Sequence, residues 1–324
     1  MLRQLSIVGV TLFSLVLGCT GCTGDGEKPE IWSVIQSIDY GLLPRWSPDG
    51  SMIAFGDNRP GESGICIMRS NAVPESIGDL PPGNWDYCWS PDCGKIAFTS
   101  PAAEDSLGGV WVVEVSSHEL TRIWDSGRDV SWGDSANSLF FQLENPVGSV
   151  PGVYSITFGD TIPRLIAVRG LKPQGRPNSH EVAYADGSID GRVWITSEGG
   201  IPVAASDAGA LQWDWSGDGN YLYVIVNRYT SGIVRGALYR VNGADPSRSD
   251  SLTIYAAYPS SNRSGNQIAF ARNSGATWLG IWLHRDGTDV QIVTYGENPD
   301  LHPTEDKVAF NVTGGGIQVI TRTQ

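Results

Sequence analysis

The sequence predicts an all-β fold, a seven-bladed β-propeller of four-stranded antiparallel blades closed by the N-terminal strand. Three observations carry that prediction: a hairpin unit repeated seven times, a second column of strand residues in step with it, and a lone strand ahead of the first repeat. Strand-length apolar segments returning at about 40 to 45 residues are the signature of propeller blades.

The hairpin reads Trp46-Ser47-Pro48-Asp49-Gly50-Ser51-Met52-Ile53-Ala54-Phe55 and returns as Trp89-Ser90-Pro91-Asp92-Cys93-Gly94-Lys95-Ile96-Ala97-Phe98. Pro presets one dihedral, Asp bonds nearby amides and Gly accepts positive φ, so the middle is a tight reversal between two strands. The apolar triplet recurs as Leu139-Phe140-Phe141, Val182-Ala183-Tyr184, Leu222-Tyr223-Val224, Ile268-Ala269-Phe270 and Val308-Ala309-Phe310. Successive starts lie 43, 43, 43, 40, 46 and 40 residues apart, and no segment sustains a helical apolar period. The turn carboxylates Asp49, Asp92 and Asp218 are expected to cap backbone, since they sit inside hairpin turns.

After each triplet comes another strand, as in Gly64-Ile65-Cys66-Ile67, Gly109-Val110-Trp111-Val112 and Gly280-Ile281-Trp282-Leu283. Middle strands of packed blades are covered on both sides and need not alternate polar with apolar. The recurrent Ala54, Ala97, Ala183, Ala269 and Ala309 let neighbouring sheets approach closely. Outer strands are clearest at 119–123, 164–167, 252–255 and 291–294.

Residues 1–18 carry one basic residue, Arg3, and an uncharged apolar run from Leu5 to Leu17, which reads as a secretory signal. The run ends Val16-Leu17-Gly18-Cys19, which resembles the lipobox of bacterial lipoproteins. That resemblance implies cleavage before Cys19 and lipidation of it. Thr20, in place of Asp, resembles an outer-membrane address facing either the periplasm or the exterior. Residues 19–29 form a polar tether, and 30–324 form one propeller domain of 295 residues, about 42 per blade. Glu30-Ile31-Trp32-Ser33-Val34-Ile35 has no triplet before it, and the seventh repeat lacks room for a fourth strand. The N-terminal strand is therefore expected to complete the seventh blade and remove two exposed sheet edges.

The pattern Pro44-x-Trp46-Ser47-Pro48-Asp49-Gly50-x-x-Ile53-Ala54-Phe55 resembles the TolB-type propeller repeat of bacterial envelope proteins. The resemblance spans roughly residues 30 to 324. It is strong in the first two copies, fair at Trp215-Ser216-Gly217-Asp218-Gly219, and degenerate elsewhere. TolB carries an α/β domain ahead of its propeller with no counterpart here, so the chain reads as a propeller-only relative whose partner does not transfer.

Lys and Arg number 22 against 35 Asp and Glu, a net charge of −13 that becomes −14 once Arg3 leaves with the signal. Such a surface repels phosphate backbones, so nucleic acid is excluded as a partner, and the membrane is met through the lipid anchor only. Besides Cys19 and Cys22, Cys66, Cys88 and Cys93 are expected to be free thiols, although Cys88 and Cys93 flank one hairpin. His118, His180, His284 and His302 fall at unrelated repeat positions without zinc spacing, and no nucleophile elbow is present. Asp186, Ser188 and Asp190 with Gly191 match the first half of a calcium loop, but position twelve is Ser197 and the segment is needed as an inter-strand loop. No metal and no cofactor are expected.

What remains is the face where loops enter the innermost strands. Tyr40, Trp85, Asp86, Arg128, Asp129, Trp213, Asp214, Tyr258 and Asp300 precede or begin inner strands, and Arg59, Arg228 and Arg272 lie in loops opening on the same side. Rings beside charges suit a polar partner, a peptide segment or a glycan. Trp85 and Trp213 read equally well as packing between blades. The preferred function is a monomeric, lipid-anchored envelope propeller that binds a protein or glycan without chemistry. The alternative is a carbohydrate-active enzyme, because similar propellers include pectate-fragment lyases that use histidines and a metal. Here only His302 lies near an inner-strand carboxylate, Asp300.

Overall fold

The computed structural model describes residues 30–323, apart from 61, 63, 70–71, 78–85, 101–107, 145–149, 189–190, 231–232, 274–277 and 313–314. The signal, the tether, Cys19, Cys22, Trp85 and Asp190 lie outside the described residues, as does the side chain of Arg228.

Seven four-stranded sheets follow one another along the chain, and every neighbouring pair of strands is antiparallel. Blades 1 to 6 are built from consecutive strands, with inner strands Leu42–Trp46, Tyr87–Trp89, Arg128–Trp132, Gly170–Gly175, Ala210–Trp215 and Ala256–Ser261. Blade 7 takes Glu297–Leu301, Lys307–Asn311 and Ile317–Arg322, and its outer strand is Trp32–Ile38 from the start of the chain. Trp32 pairs with Arg322 and Ile38 with Ile317, so the N-terminal strand closes the ring two residues later in sequence than expected. Glu30 fixes its entry by ion-pairing Arg285 of blade 6 and Arg322 of blade 7.

Each apolar triplet falls on a second strand and is sealed between blades. Phe55, Phe98, Phe141, Phe270 and Phe310 are each 0% exposed, as are Ala54, Ala97, Ala183, Ala269 and Ala309. At about 25 cal/mol per Å² of apolar surface removed from water, these rings dominate the stabilisation of the seams. The tryptophan of the hairpin has a second role. The indoles of Trp89, Trp132 and Trp215 donate to the carbonyls of Arg45, Cys88 and Gln174, each on the inner strand of the preceding blade, at 3.0, 3.0 and 3.2 Å.

The hairpin turns form one face of the ring and link to one another. Within a turn, the Asp49 carboxylate accepts from Ser47 Oγ and Ser51 N, and Asp92 and Asp218 do the same in their copies. Burial pushes Asp49 up, but these bonds outweigh it and hold the carboxyl at about 2. Between turns, His180 meets Asp134 at 3.0 Å and Arg176 donates to Gly219 O at 2.7 Å. Farther round, Asp218 N donates to Arg263 O, Arg263 N to Pro303 O, and the Arg263 guanidinium reaches Pro48 O of blade 1. Gly50 is required at the closing link. Its φ is +77°, and a Cβ there would lie 2.2 Å from His302 Nε2.

Candidate functional site

A cavity of about 530 Å³ runs down the axis, lined by all seven inner strands and reaching from Lys172 and Leu211 to the turn residues Pro48 and Pro177. The residue three positions before the tryptophan column has a left-handed backbone in five blades: Leu43, Asp129, Lys172, Tyr258 and Asn298, with φ of 49° to 53°. The inner strand shifts register there in each case, between 42 and 45, 128 and 131, 171 and 174, 257 and 260, and 297 and 300. Such a bulge bends a strand and re-aims its side chain, and three of these residues, Asp129, Lys172 and Tyr258, line the cavity. Side-chain amides, those of Asn311 and Gln142 buried, hold the strained backbone. Asn311 Oδ1 accepts from Leu43 N at 2.9 Å, Gln142 Oε1 from Lys172 N at 3.2 Å, and Gln212 Oε1 from Tyr258 N at 2.7 Å.

One level deeper, the residue just before the tryptophan column ties blades 3, 5, 6 and 7 each to the next. Ser131 Oγ accepts from Gly175 N, Ser260 Oγ from Leu301 N and Asp300 Oδ2 from Trp46 N, at 2.9, 3.0 and 2.6 Å. Asp214 accepts the backbone N–H of Ser261 in the same way. Asp300 also takes Ser260 Oγ at 3.1 Å and lies 3.7 Å from the Arg45 guanidinium. At the mouth, Asp86 accepts from Val130 N and Thr99 Oγ1, at 3.0 and 3.2 Å. Asp129 meets no hydrogen-bond donor among the described residues.

The channel therefore holds two carboxylate pairs, Asp86 with Asp129 at the mouth and Asp214 with Asp300 below, against two cations, Arg45 and Lys172. A narrow shaft strips bulk water from these groups, which disfavours their charged forms. Burial pushes Asp214 up to about 7, with the Asp300 charge adding to it and Arg45 opposing. Burial and the charge of Asp129 push Asp86 up to about 6. Asp300 and Asp129 are also raised by burial, opposed by Arg45 and by Lys172 with Arg128 respectively.

Of the residues expected at the binding face, Asp86, Asp129, Trp213, Asp214, Tyr258 and Asp300 line this one cavity. Trp213 is 6% exposed and also packs into the seam between blades 4 and 5. Tyr40 and Arg59 sit apart on the rim of blade 1, with the guanidinium 4.3 Å above the ring and paired to buried Asp57. Arg128 pairs with Glu144 on the rim of blade 3 at 3.0 Å. Arg272 departs from expectation. Its side chain turns away from the loops, lies 4.1 Å over the Trp282 ring and pairs with Asp289 and Thr253 at the seam between blades 5 and 6. Arg45, Lys172, Gln212 and Ser260 were not singled out in the sequence, although aligning the columns one and three places before the tryptophan finds them.

No histidine lines the channel. His302 is 3% exposed and fully engaged: Nε2 faces Gly50 O at 3.1 Å, and Nδ1 accepts from Thr304 N and Glu305 N. Burial lowers its affinity for a second proton. His284 is bound to Asp289 at the same seam as Arg272, and His118 and His180 pair with Glu75 and Asp134. Among the described residues no three His, Cys, Asp or Glu side chains converge to hold a metal ion. In the partial calcium loop, Asp186 is occupied by Ser188, Arg192 N and the Trp194 indole. Cys66, Cys88 and Cys93 are free thiols, with Cys88 Sγ directed at Val130 O.

No protein-family model matches the sequence, and neither does any curated protein. Among solved structures, the fold is similar to an oligogalacturonate lyase in complex with manganese (TM-score 0.70, 14% identity, 91% of this chain and 96% of that one). It is also similar to an oligogalacturonate lyase from Vibrio parahaemolyticus (TM-score 0.68, 13% identity, 89% and 91%). TolB from Acinetobacter baumannii matches over 64% of this chain and 53% of its own (TM-score 0.52, 18% identity). At these identities the likeness is one of fold: a TolB-like, seven-bladed propeller.

Proposed function

We propose that this protein is a non-catalytic binding module whose loop face and channel mouth receive a protein or glycan partner in the bacterial envelope. It is exported, anchored through lipid on Cys19 and monomeric. One observation carries the reading. The polar groups of the channel are carboxylates, amides and hydroxyls with two cations, while all four histidines are engaged elsewhere. Proton abstraction from a sugar needs a base poised within reach of the substrate. The inner-strand carboxylates Asp86, Asp214 and Asp300 instead accept backbone N–H groups that join the blades.

The lyase reading draws on the likeness to the two oligogalacturonate lyases and makes a separate forecast. Incubation with uronic-acid oligosaccharides should yield no unsaturated product, and a product would reverse the order of the two readings. The binding reading is tested by capture from an envelope extract with Arg59→Ala, Arg128→Ala and Asp129→Lys variants. A partner lost from these variants supports the loop face. Equal capture by all three removes it.

A further inference from the structure

We propose that the hairpin arm of blade 5 is a strand-addition site, where an extended acidic segment of a protein partner pairs with the arm's inner edge. This rests on the binding reading above and narrows it to one surface and one ligand chemistry.

Three observations converge. First, blade 5 overhangs the others. Its second and third strands, Tyr221–Thr230 and Ile233–Asn242, run ten residues each, against four to eight in the other blades. The flanking strands stop at the pairs Ala210 with Val226 and Ala237 with Ile254, so residues 227–230 and 233–236 pair in the ladder with each other alone. At about 3.3 Å per residue the arm stands about 13 Å beyond those strands. Second, its inner edge is open to a partner strand. Asn227 N donates to Gly209 O, out of the hairpin and toward the inner strand. In an antiparallel ladder that direction returns at every second residue, so the N–H and C=O of Tyr229 point the same way, past the end of Ala210–Trp215. An unpaired edge of this kind is a template for another chain. A peptide laid there takes the place that the inner strand vacates.

Third, the charge inverts. Carboxylates outnumber cations 35 to 22 in the chain, yet segments 169–172, 186–192, 207–209 and 227–236 hold Arg169, Lys172, Arg192, Arg228 and Arg235 against Asp186, Asp190 and Asp207. The backbone joins these segments: Gly170 pairs with Asp186, Asp186 N donates to Arg192 O, Gly209 N to Gly191 O, and Asn227 N to Gly209 O. Arg169, Lys172 and Arg192 are exposed, while Asp186 is taken up by Ser188, Arg192 N and the Trp194 indole. No carboxylate lies between Asn227 and Gly236, and Arg228 stands opposite Arg235 in the register. Like charges at opposed positions are unfavourable, and acidic residues on an added strand relieve them. The same pair turns away a second copy of this chain, whose arm would add two more arginines. An acidic saccharide brings the charge but no ladder of amides.

The test is titration calorimetry of the full chain with the blocked peptide Ac-Thr-Glu-Val-Glu-Val-Thr-NH2 and its Lys counterpart, joined to amide hydrogen exchange read by mass spectrometry. The Glu peptide is expected to bind about tenfold more tightly than the Lys peptide, and to slow exchange at 227–230. The double variant Arg228→Glu, Arg235→Glu should reverse the order of the two peptides. Tyr229→Pro removes an N–H that faces out of the hairpin, so the melting curve should stay in place while the Glu peptide weakens about tenfold. Tyr229→Ala, which keeps that N–H, should weaken it less. Equal binding of the two peptides, no binding of either, or binding without protection at 227–230 would overturn the proposal. So would protection of that segment by self-association, or to the same extent by a uronic-acid oligosaccharide. If the Glu peptide fails while an envelope partner is still captured through the loop face, only this inference falls. Loss of both removes the binding reading as well.

Discussion

On the turn face, Asp49, Asp92 and Asp218 each close onto a serine hydroxyl and a backbone amide of their own hairpin, and Arg176, Arg263 and His302 bridge one turn to the next. On the loop face, Asp129 meets no donor among the described residues, Lys172 is exposed, and five blades hold a strained left-handed residue on the inner strand. Both faces are rich in polar side chains, and the loop face leaves Asp129 without a bond from the described residues. The difference teaches that a carboxylate closed onto its own turn is a poor guide to function here, whereas one that takes no bond from the protein, such as Asp129, is informative. Strain of this kind persists where surrounding structure over-determines it, and it clusters where ligands are held.

Predictions that break this contrast run from the seams outward. Trp89→Ala should be the most damaging, at about 3–5 kcal/mol, because it empties a seam and orphans the Arg45 carbonyl. Denaturant unfolding measures it. Trp89→Phe separates the two effects and should cost about 1–3 kcal/mol, mostly the unmade hydrogen bond. Gly50→Ala, on the turn face, combines positive φ with contact against His302 and should cost about 1–3 kcal/mol. A Gly50→Ala protein with an unchanged melting temperature would show that the closing link is not tight.

A pH titration sharpens the contrast. An ordinary Asp carboxyl ionises near 3.8, whereas Asp214 in the fold keeps its proton to about 7. Between those values the folded state binds more protons than the unfolded chain, so this group's contribution falls as pH rises through the window and is most favourable below it. Asp86, raised to about 6, acts in the same direction. Thermal melts from about pH 4 to 7 should show Asp214→Asn flattening that slope, while Asp218→Asn on the turn face, whose carboxyl is lowered, should not. The smallest effect is expected at the rim, where Arg128→Ala breaks an exposed pair with Glu144 and should change stability by no more than about 0.5 kcal/mol.

The fold was legible because the triplets around Ile53, Ile96 and Ile268 are buried on both sides in every copy, and burial constrains residue type. Ring closure was legible because a strand at each end lacked a partner. Half of the channel was legible, through Asp86, Asp129, Asp214 and Asp300. The rest was not, for two reasons. Inner strands are short and bulged, so alternation does not report which side chains face the axis, and Arg45 and Lys172 look like any exposed cation. Arg272 misled because a long guanidinium stem can fold back along its own sheet, here to reach Asp289 across Trp282.

The account's central claim is that partners dock on the loop face and not on the turns. The chain has four lysines, and three of them report directly: Lys172 at the loop-side mouth, and Lys95 and Lys307 directly after the turns. Amine-reactive cross-linking of the full chain to its captured partner, read by mass spectrometry, should place the cross-links on Lys172. Cross-links concentrated on Lys95 and Lys307, with Lys172 unmodified, would contradict it.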